Sequence, residues 1–336
     1  MNAHHPEPEI PRDAVQKRRR RRRRLILALG IVGLLGSTVV LSWNHMVSQG
    51  TRSALFDRKG DLISALPLPA APPSPERAQD LLLTSSTGLT AKVRLLSSAE
   101  GKLLPGVILL DGIKQGRRVV DYPAIEEINK HAVVMSMDYP LVWGKKFSGW
   151  DILPALVTFR QAALDSVSSV LLMVDYLESR PDVDKDRIIL VGTSFGAPVA
   201  VIAGAIDYRP SAVAVLYGGG KLGDLITHNL RRSGRLGRTA IPRPAAGFFG
   251  RAIAAALTPL EPTRYAPLIA PRPLLLISGA DDELIPRDSV LALYRAARPP
   301  KDLWWIHSKH LRPKQQDLMR TLIRQLNQWF QRKHLL

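Results

Sequence analysis

Ser194 stands in Gly192-Thr193-Ser194-Phe195-Gly196, directly after the apolar run Arg187-Ile188-Ile189-Leu190-Val191 and directly before Ala197-Pro198-Val199-Ala200-Val201-Ile202-Ala203. This is a Gly-x-Ser-x-Gly pattern set between a strand-like and a helix-like segment. A serine hydroxyl is a weak nucleophile. Chemistry at Ser194 needs a sharp, strained turn that carries its Oγ clear of the backbone, near a helix N-terminus. Small residues two places before and after leave room for strand and helix to approach. A serine nucleophile also needs a base, and the base needs an orienting carboxylate. Gly279-Ala280-Asp281-Asp282-Glu283 follows one apolar run, and His307 and His310 follow another. Asp282 is favoured as the acid over Asp281, which has the character of a turn former, and Asp224 is a distant third. His310 is favoured as the base over His307, which lies nearer its strand. The chain order is Ser, Asp, His.

Such a site must be held by a scaffold, and the apolar pattern indicates which one. Residues 81–96 read as two short strands around the turn Thr84-Ser85-Ser86-Thr87-Gly88. Continuous apolar runs at 106–110, 131–137, 187–191, 212–217, 274–277 and 303–306 each end at a turn or loop that carries Gly, Asp or His. Runs of that length suit strands buried on both faces. Between them, Leu164, Val167, Leu171, Val174 and Leu177 recur at spacings of three and four. Leu318, Leu322, Leu326 and Trp329 repeat the pattern near the C-terminus, with Pro313 where that helix could start. Buried strands alternating with amphipathic helices predict an α/β protein with a mostly parallel central sheet flanked by helices. Sites in such sheets lie at the carboxyl ends of strands, where Ser194, Asp282 and His310 all fall.

On these residues the chain resembles the α/β-hydrolase superfamily over roughly residues 80–333. It is most similar to the dienelactone-hydrolase-like and acyl-CoA-thioesterase/acyltransferase-like branches. The segments that carry the likeness are Leu104-Pro105-Gly106-Val107-Ile108-Leu109-Leu110-Asp111-Gly112, the stretch Asp184 to Gly196, and Gly279 to Pro286. The resemblance implies Asp282 as the acid, on the fourth residue of its turn, and His310 as the base, in the loop before the last helix. It also implies an oxyanion hole of two backbone N–H groups. One is that of Phe195, and the other that of Ile113 or Gly112. Related chains usually carry His-Gly or Gly-Gly where this one has Asp111-Gly112. The implied reaction needs no metal or organic cofactor. His310 takes the Ser194 proton, Ser194 attacks an ester or thioester carbonyl, and water resolves the acyl-enzyme.

The 336 residues carry 47 Lys+Arg against 29 Asp+Glu, a formal net charge of +18, and no cysteine. Absence of cysteine excludes disulfides, thiolate zinc sites, iron–sulfur clusters and thiol catalysis. Lys17 and Arg18 to Arg24 form an unbroken basic run, and residues 25–43 then hold no charge. At 1.5 Å per residue, those 19 positions span about 28 Å, close to a bilayer core. The expectation is a basic cytoplasmic tail at 1–24 and an uncleaved transmembrane signal anchor at 25–43. No Ala lies between Ala28 and Ala54 to build a small-residue cleavage site. The hydrolase domain would then be extracytoplasmic, periplasmic in a Gram-negative bacterium. The arginine run reads as a topology signal, so no nucleic-acid partner is expected.

Residues 44–77 are expected to be a Pro-rich tether, with five prolines between Ala65 and Pro75. The domain proper would be 78–336. Within it, residues 221–264 are long for a plain connection and rich in arginine, which reads as a basic lid insertion. Trp143 and Trp150 are candidates to line a pocket. The leading function is a membrane-anchored serine hydrolase acting on a small-molecule or lipid-like acyl ester. The alternatives are acyl transfer on the same triad and an inactive hydrolase fold acting as an envelope binding protein.

Overall fold

The computed structural model describes residue 48 and residues 51–69, 77–97, 103–112, 115–140, 151–237 and 239–336. The expected tail, the span at 25–43, Ile113, Trp143 and Trp150 lie outside the described residues. The chain divides into Met1–Ser48 and Gln49–Leu336, and the architecture below is that of the second unit.

Among the described residues nine strands form one sheet: β1 (Leu62–Leu68), β2 (Ala78–Ser85), β3 (Thr90–Leu96), β4 (Leu104–Leu110), β5 (Val133–Met137), β6 (Val183–Thr193), β7 (Pro210–Leu216), β8 (Leu274–Gly279) and β9 (Lys301–Ile306). Their spatial order is β1-β2-β3-β5-β4-β6-β7-β8-β9. The pairings β1/β2, β2/β3 and β3/β5 are antiparallel, and every pairing from β5/β4 to β8/β9 is parallel. Alternate residues of the parallel strands face opposite layers. Ile108, Ile188, Leu190, Val213, Val215 and Leu276 join one core. Val107, Ile189, Val191, Ala214, Leu275 and Ile277 join the other. Both faces are therefore dry, which is why these strands read as unbroken apolar runs.

The first core is roofed by helices α1 (Arg52–Lys59), α2 (Ile152–Glu178) and α3 (Gly196–Ile206). The second lies under the helical stretch Gly116–Asn129 and the C-terminal helix. Between β7 and β8 come α4 (Leu222–Ser233), a two-residue hairpin and α5 (Ala246–Ala256). After β8 come α6 (Arg287–Ala296) and, after β9, α7 (Gln316–Arg332). Helix α7 starts three residues after Pro313. Helix α2 is long and apolar enough to cross a membrane, but 67% of its most apolar window is buried against the protein. Packing against the sheet accounts for that composition.

The expectation of a tether across 44–77 does not hold over 52–68. Thr51 Oγ1 caps α1 by accepting from Ala54 N, and Leu55 of α1 is fully buried. Strand β1 adds to the sheet edge, with Leu66 opposite Leu82 and Pro67 opposite Leu81. Proline is tolerated there because an edge strand has one unpaired side.

Candidate active site

The turn after β6 is built by two glycines that admit no side chain. A Cβ at Gly192 would lie 2.4 Å from Gly196 O, and one at Gly196 would lie 2.1 Å from Leu110 O. Strand β6 and helix α3 are thus pressed against β4. Between these glycines Ser194 takes φ +53°, the left-handed region. That conformation is costly for serine and persists only where neighbours impose it. Here Ser194 N donates to Leu216 O at 2.9 Å and Ser194 O accepts from Ala197 N at 3.1 Å.

The structure brings Ser194, His310 and Asp282 into one hydrogen-bonded chain. His310 Nε2 lies 3.0 Å from Ser194 Oγ. His310 Nδ1 lies 2.9 and 3.1 Å from the two oxygens of Asp282. A carboxylate only accepts, so the ring proton belongs on Nδ1 and the Nε2 lone pair faces the serine hydroxyl. Asp282 Oδ1 also accepts from Leu284 N at 2.8 Å and Ile285 N at 3.0 Å. Those bonds fix the carboxylate, whose side chain is 1% exposed. Asp281 and His307 are exposed, and Asp224 sits exposed in the first turn of α4.

The histidine loop is stitched to the acid loop through Ser308 and Tyr217. Gly279 lets the Ser308 carbonyl approach, since a Cβ there would lie 2.4 Å from it. Asp281 N donates to that carbonyl at 3.2 Å. Tyr217 Oη pairs with Ser308 Oγ at 2.5 Å, and its ring meets His310 edge-on at 5.6 Å. Glu283 completes the support. Its carboxylate accepts from His310 N at 3.0 Å and from Arg312 Nη2 at 2.7 Å. Led by the His310 backbone N–H, these donors hold the Glu283 carboxyl down at about 2. Sequence reasoning passed over Glu283, Tyr217 and Ser308. Only the position of Glu283 beside Asp282 hinted at a role.

A cleft of about 220 Å³ opens beside Ser194, lined by Asp111, Gly112, Gln115, Leu311, Arg312 and Met319 among others. Phe195 occupies the N-cap of α3, where the first N–H groups lack intrahelical partners. Its ring packs edge-on against Tyr139 at 4.9 Å and Phe159 at 5.9 Å. Burial pushes the Asp111 carboxyl above the ordinary range, with Gly112 and His310 opposing. Tyr139 Oη donates to the Asp111 carbonyl at 2.6 Å and fixes the start of that loop.

The insertion reaches the site through the acid loop. His228 Nε2 donates to Glu283 O at 3.0 Å, and Asn229 Nδ2 donates to Leu284 O at 2.9 Å. Glu261 holds the first turn of α4 by accepting from Lys221 N and Leu222 N. Among the described residues no cluster of His, Asp and Glu has the arrangement of a metal site.

No protein-family model matches the sequence, and no curated protein matches it. Solved structures do match. Acetyl xylan esterase 1 from Thermoanaerobacterium sp. JW/SL YS485 is 18% identical, with a TM-score of 0.55 over 84% of this chain and 92% of that one. An esterase from Pyrococcus furiosus is 19% identical, with a TM-score of 0.55 over 80% of this chain and 97% of that one. The α/β hydrolase GrgF from Penicillium sp. sh18 is 18% identical, with a TM-score of 0.53 over 74% of this chain and 96% of that one. The nine-stranded sheet, the strained serine turn after β6 and these likenesses agree: this chain has the α/β-hydrolase fold.

Proposed function

We propose that the protein is a serine hydrolase that cleaves a carboxylic ester through an acyl-enzyme. The observation that carries this reading is the chain from Ser194 Oγ to His310 to Asp282, at 3.0 and 2.9 Å, on a turn strained at φ +53°. His310 Nε2 takes the hydroxyl proton as Ser194 Oγ bonds to the carbonyl carbon. The proton passes to the leaving alkoxide, which departs as the alcohol. Water, deprotonated by the same nitrogen, then attacks the acyl-serine, and the carboxylic acid leaves as Ser194 recovers its proton. Asp282 keeps the ring in the required tautomer and stabilises the imidazolium between these transfers. The oxyanion is assigned to Phe195 N–H, with the N–H of Ile113 or Gly112 as the second donor.

The cleft of about 220 Å³ is smaller than the roughly 300–1,000 Å³ of sites for drug-sized ligands. A short acyl group suits it, which agrees with a structural neighbour named for acetyl esters. A thioester would react by the same steps. The basic run at 17–24 and the apolar span at 25–43 support a chain anchored in a membrane with its N-terminus cytoplasmic.

The test is turnover of nitrophenyl acetate by the full chain and by Ser194→Ala. Loss of the nucleophile should lower kcat by roughly 10,000-fold or more. A fluorophosphonate probe should label the wild type and leave the variant unlabelled. Equal turnover by both proteins would sink the serine mechanism.

A further inference from the structure

The cap formed by α4, the hairpin and α5 carries positive charge that no ion pair among the described residues neutralises. Arg231 and Arg232 end α4, Arg235 opens the hairpin, Arg243 precedes α5 and Arg251 lies on it. All five are exposed, and none has an ion-pair partner among the described residues. The nearby acids do not offset them. The Glu261 carboxylate is engaged by backbone N–H groups. Asp224 lies seven residues from Arg231 along α4, about 10 Å.

Phe248 sits within this charge. At 72% it is the most exposed large apolar side chain among the described residues. Arg251 and Ala252, three and four residues on, are exposed on the same helix face. Arg231 reaches that face from α4, since a Cβ built at Gly247 would lie 3.8 Å from its Nη2. A second cleft of about 530 Å³ lies in the cap, with Leu225, Ile226, Leu230 and Leu284 on its walls and Arg232 and Arg235 beside them.

An exposed ring three residues from Arg251, and in the same cap an aliphatic cleft with cationic side chains on its walls, match the boundary between phosphate headgroups and acyl chains. A nucleic acid would use the charge but has no use for an aliphatic cleft, because bases stack on planar groups. We propose that this cap docks on an anionic bilayer, with Phe248 in the acyl boundary and the five arginines against lipid phosphates. The docking surface does not rest on the serine chemistry. Through His228 and Asn229 it lies next to the loop of Asp282, so docking would bring the cleft to the membrane surface.

The chain has no cysteine, so Phe248→Cys gives a single site for a polarity-sensitive dye. The labelled full chain is reconstituted in vesicles of phosphatidylcholine alone or mixed with phosphatidylglycerol. The expected result is a blue shift only in the anionic vesicles, reversed by high salt. It should be lost when Arg231, Arg232, Arg235, Arg243 and Arg251 are all changed to Gln. A dye at Tyr208→Cys, in the loop at the opposite end of β7, should not shift. Equal emission in both vesicle types overturns the proposal, as does an equal shift on adding a DNA oligonucleotide to neutral vesicles. Loss of esterase turnover with the shift retained would count against the proposed reaction and leave the docking surface standing.

Discussion

Glu283 tethers the His310 backbone and Asp111 lines the cleft beside Ser194, and their carboxyls are perturbed in opposite directions. Glu283 lies below its ordinary value, at about 2, because His310 N–H and Arg312 favour its charged form. A depressed carboxyl stabilises the fold above its unfolded pKa, and that contribution fades as pH falls toward 2. Glu283→Ala should therefore cost about 1–3 kcal/mol at neutral pH. Thermal melts should show the gap from wild type closing as pH is lowered from 5 toward 2. The same variant should lower kcat more than it raises KM, because the His310 backbone loses its tether. Asp111 is raised by burial, so the sign reverses. Its folded state is favoured while the carboxyl is protonated, and that advantage is lost as pH rises through its folded pKa. Asp111→Asn should melt above wild type at pH 7 and converge with it below pH 4, and a lower Tm at pH 7 would contradict the burial argument. Ser194, Asp282 and His310 were readable in the sequence because each follows a strand end and their chemistry is scarce. Glu283, Tyr217 and Ser308 were not, because each acts through partners set by the meeting of two loops.

The strands that support these loops were legible where both their faces are buried. Their unbroken apolar runs leave no polar alternation to misread, and β4 to β8 are located to within a few residues apart from the longer start of β6, while the half-buried edge strand β9 shows only its apolar second half. Strand β3 contains what the pattern hid. Arg94 is fully buried, and its guanidinium lies 2.7 Å from Asp80 on β2 and 2.5 Å from Asp121 in the stretch Gly116–Asp121. Arg117 adds a bond to Asp138 at 2.7 Å. These charges bind the antiparallel part of the sheet to the helical layer over it. Sequence alone gives Arg94 the look of a solvent-facing strand residue. Removing Arg94 leaves buried Asp80 with only the longer Arg117 Nε contact at 3.3 Å, and losing a buried partner of this kind costs about 3–5 kcal/mol. Arg94→Met should reduce the unfolding free energy by that amount in urea. Adding Asp80→Asn to it should restore part of the loss, because the stranded carboxylate is then gone. A double variant less stable than the single one would show that the pair contributes little.

At the scale of the whole molecule the prolines inside the described stretch, Pro67 and Pro69, were misleading. They favour extended chain, and extended chain serves equally for a tether and for an edge strand. What separates the two is contact, and residues 52–68 make it. Leu55 is fully buried, and Ser168 Oγ of α2 donates to its carbonyl at 3.0 Å. Arg58 and Lys59 pair with Asp165 and Asp175 of α2, and Arg52 Nε donates to Ile206 O at 2.8 Å. Strand β1 covers the free edge of β2 from Leu62 to Leu68. A chain starting at residue 49 keeps all of this, and one starting at residue 78 keeps none. Burial of Leu55 alone is worth about 1.5–3 kcal/mol, and the strand pairing and ion pairs add to it. A total near 3 kcal/mol lowers Tm by roughly 6–12 °C in a domain of this size. The shorter chain also exposes β2 as an edge with Leu81 and Leu83 behind it, which invites association. Calorimetry with light scattering should therefore find the longer chain cooperative and monodisperse, and the shorter one less stable and prone to aggregate. Equal melting of the two would return residues 52–68 to the role of a tether.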